Sequence, residues 1–334
     1  MINTMNIVYA TDSNYVSICA ASMVSLLESN RACKEINIFL YGDRLGTNEC
    51  ILENLVSRYD RYINIIQAVP IVKSFEKMNV PKVNGSYSAY VRLAVSKNLD
   101  NIDKFIYIDC DTLILQNLEE LWDTDIDGYA VGGVSDAMSA RCNLALGKGI
   151  EDLYINSGVL LVNAKYWRMN NVLEKMIQDL NKYRLSHTAT GGDQEMINYT
   201  LFRRIYKLPL KYNVLVQNRI YDPVQMRFMI EKNDKSYYSI SEMKEARERP
   251  YIVHFANSSL IRPWFANSQD PLSKMWDYYL SLTGYSYDKR KLRISLWQKM
   301  CVVAFYLLPD KGYAILKRYE DRLKHYYLRT HGRR

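Results

Sequence analysis

Glycine and proline are scarce, 14 and 8 in 334 residues, which excludes fibrous, collagen-like and low-complexity chains. The longest strictly apolar run, residues 300–308, has nine residues, against the ~20 that a membrane-spanning helix needs. Six cysteines (Cys19, Cys33, Cys50, Cys110, Cys142, Cys301) form no C-x-x-C pair and no zinc-ligand spacing. They read as reduced core thiols of a cytoplasmic protein. Residues 1–5 lack the basic flank of a signal peptide and lead directly into an apolar run, so no leader is expected. Missing too are the G-x-G-x-x-G and G-x-x-x-x-G-K-[ST] loops, without which dinucleotide and P-loop readings weaken sharply.

The net charge of +8 is concentrated in one place. Residues 285–334 hold 13 Lys/Arg against 4 Asp/Glu, which leaves the preceding chain close to neutral. A nucleic-acid footprint normally covers a face of the folded body, so no nucleic-acid partner is expected.

With 48% hydrophobic residues the chain can bury a sizeable core. Short apolar runs at 6–10, 36–40, 63–66 and 105–108 alternate with helical stretches near 16–27, 47–59 and 87–97. That alternation predicts an α/β fold, a mostly parallel sheet with helices on both faces. Further on, 154–163 and 251–255 read as strands, 165–183 as one long helix and 193–202 as a shorter one. The character changes near residue 266, giving an expected body of 1–265 and a C-terminal basic helical region of 266–334.

Ligands of such sheets gather at the carboxyl ends of strands. The first strand exits into Asp12, which can accept hydrogen bonds from a base or ribose, or simply cap the following helix. The run Ile106-Tyr107-Ile108 exits into Asp109-Cys110-Asp111. Residues i and i+2 of an extended chain project to one side, so both carboxylates can face a hard divalent cation. Asp123-Thr124-Asp125 and Asp125-Ile126-Asp127 match the same spacing but sit in a polar turn before Gly128. Of the four histidines only His254 lies at a strand end of the body; beside two carboxylates it suits Mn2+, and alone it would read as a hydrogen-bonded core residue.

These residues belong to an ordered set: Asn6-Ile7-Val8-Tyr9-Ala10-Thr11-Asp12, Ser88-Ala89-Tyr90-Val91-Arg92-Leu93, Ile106 through Asp111, Leu121-Trp122-Asp123-Thr124-Asp125, Ile155-Asn156-Ser157-Gly158, Gly192-Asp193-Gln194-Glu195, and His254 through Pro263-Trp264. The set, spanning about 6–266, resembles glycosyltransferase family 8, retaining bacterial galactosyl- and glucosyltransferases of the lipooligosaccharide type with a GT-A fold. The resemblance implies that Asp109, Asp111 and His254 hold Mn2+ or Mg2+ against the two phosphates of a UDP-sugar. It places Ala10, Thr11, Asp12 and Tyr15 at the uracil and ribose, with Cys110 in the same cofactor-binding group. It places Arg92, Asp136, Asn156, Asp193 and Gln194 around the donor sugar, the last four as catalytic residues. Without that context Arg92 reads as a surface ion pair, Asp136 as a loop cap and Asn156 or Asp193 as helix caps.

The stretch 254–264 departs from the family pattern. It lacks a glycine, is about two residues longer, and has Arg262 where relatives have lysine; Arg262 and Asn257 are its donor-binding candidates. A guanidinium can grip a diphosphate bidentately where an ammonium cannot. Gln194, nearest the face opposite the leaving group, is an amide and a poor nucleophile, which favours front-face substitution over double displacement. The expected donor is UDP-galactose or UDP-glucose and the acceptor a cell-surface glycan or glycoprotein O-glycan. The other readings are an inverting GT-A enzyme, which needs a carboxylate base beside the acceptor, and a nucleotide-sugar-binding or scaffold protein with little turnover.

In the tail, Leu316, Tyr319, Leu323, Tyr326 and Tyr327 recur at helical spacing among Lys317, Arg318, Arg322 and Lys324. Such a segment can lie on an anionic membrane surface, here the inner face of the plasma membrane, or pack as a helical pair on the body or a dimer partner.

Overall fold

A computed structural model describes residues 4–78, 80, 82, 86–137, 139–183, 192–230, 236–256, 261–286 and 289–293, and places 299, 300, 315 and 319 singly. The principal sheet has seven strands in the order β3-β2-β1-β4-β7-β6-β8. These are β1 (Met5–Asp12), β2 (Ile36–Asp43), β3 (Tyr62–Gln67), β4 (Lys104–Ile108), β6 (Val131–Ser135), β7 (Ile155–Asn163) and β8 (Ile205–Lys207). β7 alone is antiparallel to its neighbours, so the sheet is mostly parallel. A second sheet, β5-β10-β9, is formed by β5 (Thr112–Ile114), β9 (Val214–Leu215) and β10 (Ile252–His254).

The inner strands β1, β4 and β7 are buried on both faces, whereas edge strand β3 alternates exposed and half-buried residues. Ile7 and Tyr9 of β1 enter one core with Ile106, Ile108, Val159 and Leu161, whereas Val8 enters the other with Phe105, Tyr107, Leu160 and Val162. The helix Val16–Ser29 is buried from Val16 to Leu27. Its serines serve the small sheet: Ser22 Oγ lies 2.8 Å from Thr112 Oγ1, Ser25 Oγ accepts from Ile114 N at 2.9 Å, and Ser29 Oγ donates to Ile114 O at 2.8 Å. The edge of β5 is thereby satisfied by a helix, and the two residues just before Thr112 are held in place.

The helix expected over 165–183 is two, Ala164–Met169 and Val172–Tyr183, broken where Asn171 takes a φ of 48°. Asparagine tolerates that left-handed conformation better than most residues. Helices Asn48–Ser57, Val69–Lys77, Val91–Asn98, Glu119–Trp122, Ser139–Ala145, Asp193–Thr200, Val216–Ile220, Pro223–Met229 and Ile240–Glu248 also belong to the body. Beyond residue 266, helix Ser273–Ser281 packs on Val16–Ser29, with Trp276 in the same core and Arg58 Nη2 donating to Leu282 O at 2.6 Å. Cys19, Cys33, Cys110 and Cys142 are buried free thiols as expected; Cys50 is free but exposed, because its position on the outer face of helix Asn48–Ser57 leaves it uncovered. Among the described residues no helix is long and apolar enough to cross a membrane.

Candidate active site

Backbone hydrogen bonds clamp the Asp-x-Asp segment between the two sheets. Asp109 N donates to Gly158 O of β7 at 2.7 Å, and Phe255 N, just after β10, donates to Asp111 O at 2.8 Å. Cys110 turns the other way, its thiol donating to Ala10 O at 3.1 Å and tying the segment to the end of β1. His254, the last residue of β10, pairs with Thr112. The ligand atoms of Asp109, Asp111 and His254 therefore lie within 4.8 Å of one another, with His254 Nε2 at 3.1 Å from Asp111 Oδ1 and 3.8 Å from Asp109 Oδ2.

Two carboxylate oxygens and an imidazole nitrogen converging on one point fit a hard divalent cation. Gly158 makes the room: a Cβ there would overlap His254 Cε1 and stand 2.8 Å from Asp109 Oδ2. Asp123, Asp125 and Asp127 are exposed, and Asp125 Oδ1 accepts the backbone N–H of Asp127 at 2.9 Å; that repeat forms an Asx turn.

Arg92 is buried at 7% exposure, not a surface residue. Its Nη2 lies 2.9 Å from Asp109 Oδ1 and its Nε 3.0 Å from Asp193 Oδ2, while Nη1 donates to Ser157 O at 2.6 Å. The guanidinium also stands over the Tyr107 ring, whose hydroxyl donates to Asp109 Oδ1 at 3.0 Å. Burial raises the Asp109 carboxyl above the usual range despite Arg92 and His254. Burial acts on Asp111 in the same sense, but His254 and Arg262 outweigh it and hold that group at about 2.

On one side of this centre, Asn156 Nδ2 donates to Asp136 Oδ2 at 3.1 Å and to Gln194 Oε1 at 3.2 Å. Gln194 Oε1 also accepts from Ser157 N at 3.0 Å, and Ser157 Oγ donates to Asp193 Oδ2 at 3.0 Å. On the other side, Arg262 Nη1 donates to the Tyr15 hydroxyl at 3.0 Å, its Nη2 lies 3.8 Å from Asp111 Oδ2, and its guanidinium stands over Trp264. Asp12 Oδ1 accepts from Asn14 N and Tyr15 N at 2.9 and 3.1 Å, so this oxygen shapes the entry to helix Val16–Ser29. Thr11 is buried at the end of β1 and Ala10 half-buried beside it; Asn257 lies outside the described residues.

The structure adds residues whose roles composition does not reveal. Gly158, Ser157 and Tyr154 line the network, and Glu195 sits beneath it at 1% exposure. Gln194 Nε2 donates to Tyr154 Oη at 3.2 Å, which donates to Glu195 Oε1 at 2.9 Å. Burial, only partly offset by Tyr154, pushes Glu195 up to about 8. An acid following Asp193-Gln194 was visible in sequence, but its depth was not.

A mostly parallel α/β sheet that carries this constellation on its carboxyl edge defines a GT-A glycosyltransferase. The model of the family "Glycosyl transferase family 8" matches residues 6–268, and the chain belongs to that family. It is 26% identical over 286 residues to general stress protein A of Bacillus subtilis, covering 84% of this chain and 95% of that one. It is 23% identical over 308 residues to the lipopolysaccharide 1,2-glucosyltransferase of Escherichia coli, covering 89% and 80%. The fold is similar to that of galactosyltransferase LgtC, solved with donor and acceptor sugar analogues, with a TM-score of 0.69, 18% identity and coverage of 84% and 97%.

Two outcomes follow from this geometry. Titrated with Mn2+ as a probe for a divalent cation and read by electron paramagnetic resonance, Gly158→Ala should bind on the order of 100-fold more weakly than wild type, as displacement of a ligand's supporting shell predicts; equal binding would refute the cradle. Folded Glu195 keeps its proton up to about pH 8 while an unfolded chain releases it near 4.5, so its stabilisation is complete below 4.5 and is lost as pH rises through 8. The Tm of wild type relative to Glu195→Gln should fall across that window, and a constant difference would count against it.

Proposed function

We propose that this chain is a retaining hexosyltransferase that moves galactose or glucose from a UDP-sugar to a cell-surface glycan or glycoprotein O-glycan with Mn2+ or Mg2+. One observation carries the reading: Tyr15 and Arg262, then Asp109, Asp111 and His254, then Asp193, Gln194, Asn156 and Asp136 follow one another along the sheet edge. That is the order of nucleoside, diphosphate and sugar in the donor.

A cation bound by Asp109, Asp111 and His254 supplies neutralisation of the charge that grows on the departing diphosphate. Arg262 adds a second positive group between the Tyr15 hydroxyl and Asp111, suited to a bidentate grip on phosphate. Tyr15 presents its ring to uracil, Thr11 and Ala10 its backbone surroundings, and Asp12 uses its second carboxylate oxygen for the ribose. Cys110 fixes the segment through Ala10. Arg92, on the donor-sugar side, locks Asp109 and Asp193 in register. Asp193, Asp136 and Asn156 then orient the hexose hydroxyls.

Gln194 accepts at its carbonyl oxygen from Ser157 N and Asn156 Nδ2 and donates its amide N–H to the Tyr154 hydroxyl. Its chemistry and its bonds support a front-face substitution, in which the breaking phosphate oxygen takes the proton of the attacking acceptor hydroxyl and the sugar keeps its configuration. The names of the E. coli and LgtC relatives support a hexose donor and a cell-surface acceptor. A cytoplasmic site peripheral to the inner face of the plasma membrane suits such an acceptor. Met275, Tyr278 and Leu292 are exposed, as are the basic Arg290, Lys291 and Arg293, which supports contact with an anionic membrane surface; most of the helical pattern beyond 293 lies outside the described residues.

Purified full-length protein should release UDP from UDP-galactose or UDP-glucose only with Mn2+ or Mg2+. Asp111→Ala should lower the rate by at least about 100-fold, the scale of a lost ligand to a charge-stabilising metal. Absence of UDP binding by wild type would overturn the reading, and a β-linked product by anomeric NMR would overturn retention. Full-length protein should bind anionic liposomes at low salt more tightly than a chain ending at residue 284; equal binding would sink the membrane contact.

A further inference from the structure

We infer that Asn213 is a positioning residue that joins the imidazole of His254 to the amide cluster around Gln194, so that metal binding and sugar recognition respond to each other. The inference rests on the metal-dependent reading above. Asn213 is fully buried immediately before β9, the strand that pairs with β10 beside His254. Its Oδ1 lies 3.0 Å from His254 Nδ1, and its Nδ2 donates to Asn156 Oδ1 at 2.9 Å.

The orientation of every group in this chain is dictated by a backbone amide. Gly158 N–H can only donate, and it donates to Asn156 Oδ1 at 2.9 Å. Asn156 Oδ1 is therefore an acceptor, and the atom of Asn213 that faces it must be the amide nitrogen. Asn213 then turns its oxygen to His254, which must carry a proton on Nδ1. With a cation in place, that tautomer leaves the Nε2 lone pair facing Asp109 and Asp111, as a metal ligand requires. The other end of Asn156 donates to Asp136 Oδ2 and Gln194 Oε1, so a shift of the imidazole is passed through two amides to the groups around the sugar. Asn213 at the entry to the small sheet and Asn156 in the large one have no covalent reason to move together, and this bond is what couples them.

Two variants separate the halves of the relay. Asn213→Leu removes both bonds, and its Mn2+ affinity should fall about 10–100-fold, the usual cost of losing a ligand's outer partner. Asn213→Asp keeps an acceptor for Nδ1 but cannot donate to Asn156. It should hold Mn2+ within about threefold of wild type, yet narrow the ratio of Kd for UDP to Kd for UDP-sugar by about 5-fold or more, the loss of about one hydrogen bond. Mn2+ binding is read on the full chain by electron paramagnetic resonance without donor, and the His254 tautomer by 15N NMR, which should show Nδ1–H in wild type and a mixture in Asn213→Leu. Folded Asn213→Leu with unchanged Mn2+ affinity would overturn the inference. Should that variant not fold, Asn213→Asp decides: an unchanged Kd ratio overturns the coupling. Wild type that binds no Mn2+ would remove the metal reading itself, whereas wild type that binds it and variants that match it would defeat this inference alone.

Discussion

Carboxylates cannot crowd a low-dielectric pocket without a counter-charge, and the site is arranged around the one that Arg92 supplies. Its guanidinium is as buried as Asp193 and more buried than Asp109, bridging Asp109 at the end of β4 and Asp193 at the start of a helix eighty-odd residues later. Leaving any of these charges unpaired in such a place costs several kcal/mol. The fork geometry of arginine matters as much as the charge, since lysine could not address Asp109, Asp193 and the Ser157 carbonyl at once. Tyr107 beneath the guanidinium closes the remaining face.

The rest of the architecture delivers partners to that ion pair. β7 runs against its neighbours, so its first residues, Asn156 to Gly158, arrive at the same edge as the last residues of β1 and β4. A parallel strand in that position would have sent them to the far edge. The serine row on helix Val16–Ser29 holds β5, β5 holds β10, and β10 ends in the histidine. A hydrogen-bond ladder thus substitutes for a loop in setting the distance between imidazole and carboxylates.

Much of this was legible in the chain. The strand runs that end at Asp12 and Asp111 are apolar because they are covered on both faces, and that pattern survives in a single sequence. The choice of Asp109/Asp111 over Asp123/Asp125 needed only the contrast between a strand end and a polar turn. What escaped was long-range or depended on depth. Nothing local says that Arg92 is buried, that Glu195 lies under Gln194, or that Asn213 faces His254, because those facts arise from pairings across many residues. The break at Asn171 was written in an Asn-Asn pair inside an otherwise helical pattern, and the helices after Ser239 and Asp222 begin with capping boxes that can be read directly. The Lys165-to-Tyr183 periodicity hid the first signal by remaining in phase across it.

The pairing of His254 with Asp111 spans 143 residues of chain. At synthesis speeds of about 5–20 residues per second, the carboxylates leave the ribosome roughly seven to thirty seconds before the imidazole. Through that interval the nascent sheet already carries two acids and an arginine but has no complete ligand set. The chain therefore brings the imidazole to the two acids last, after every strand of the large sheet has left the ribosome, and a shortened product lacking β10 would lack one corner of the Asp109, Asp111 and His254 group.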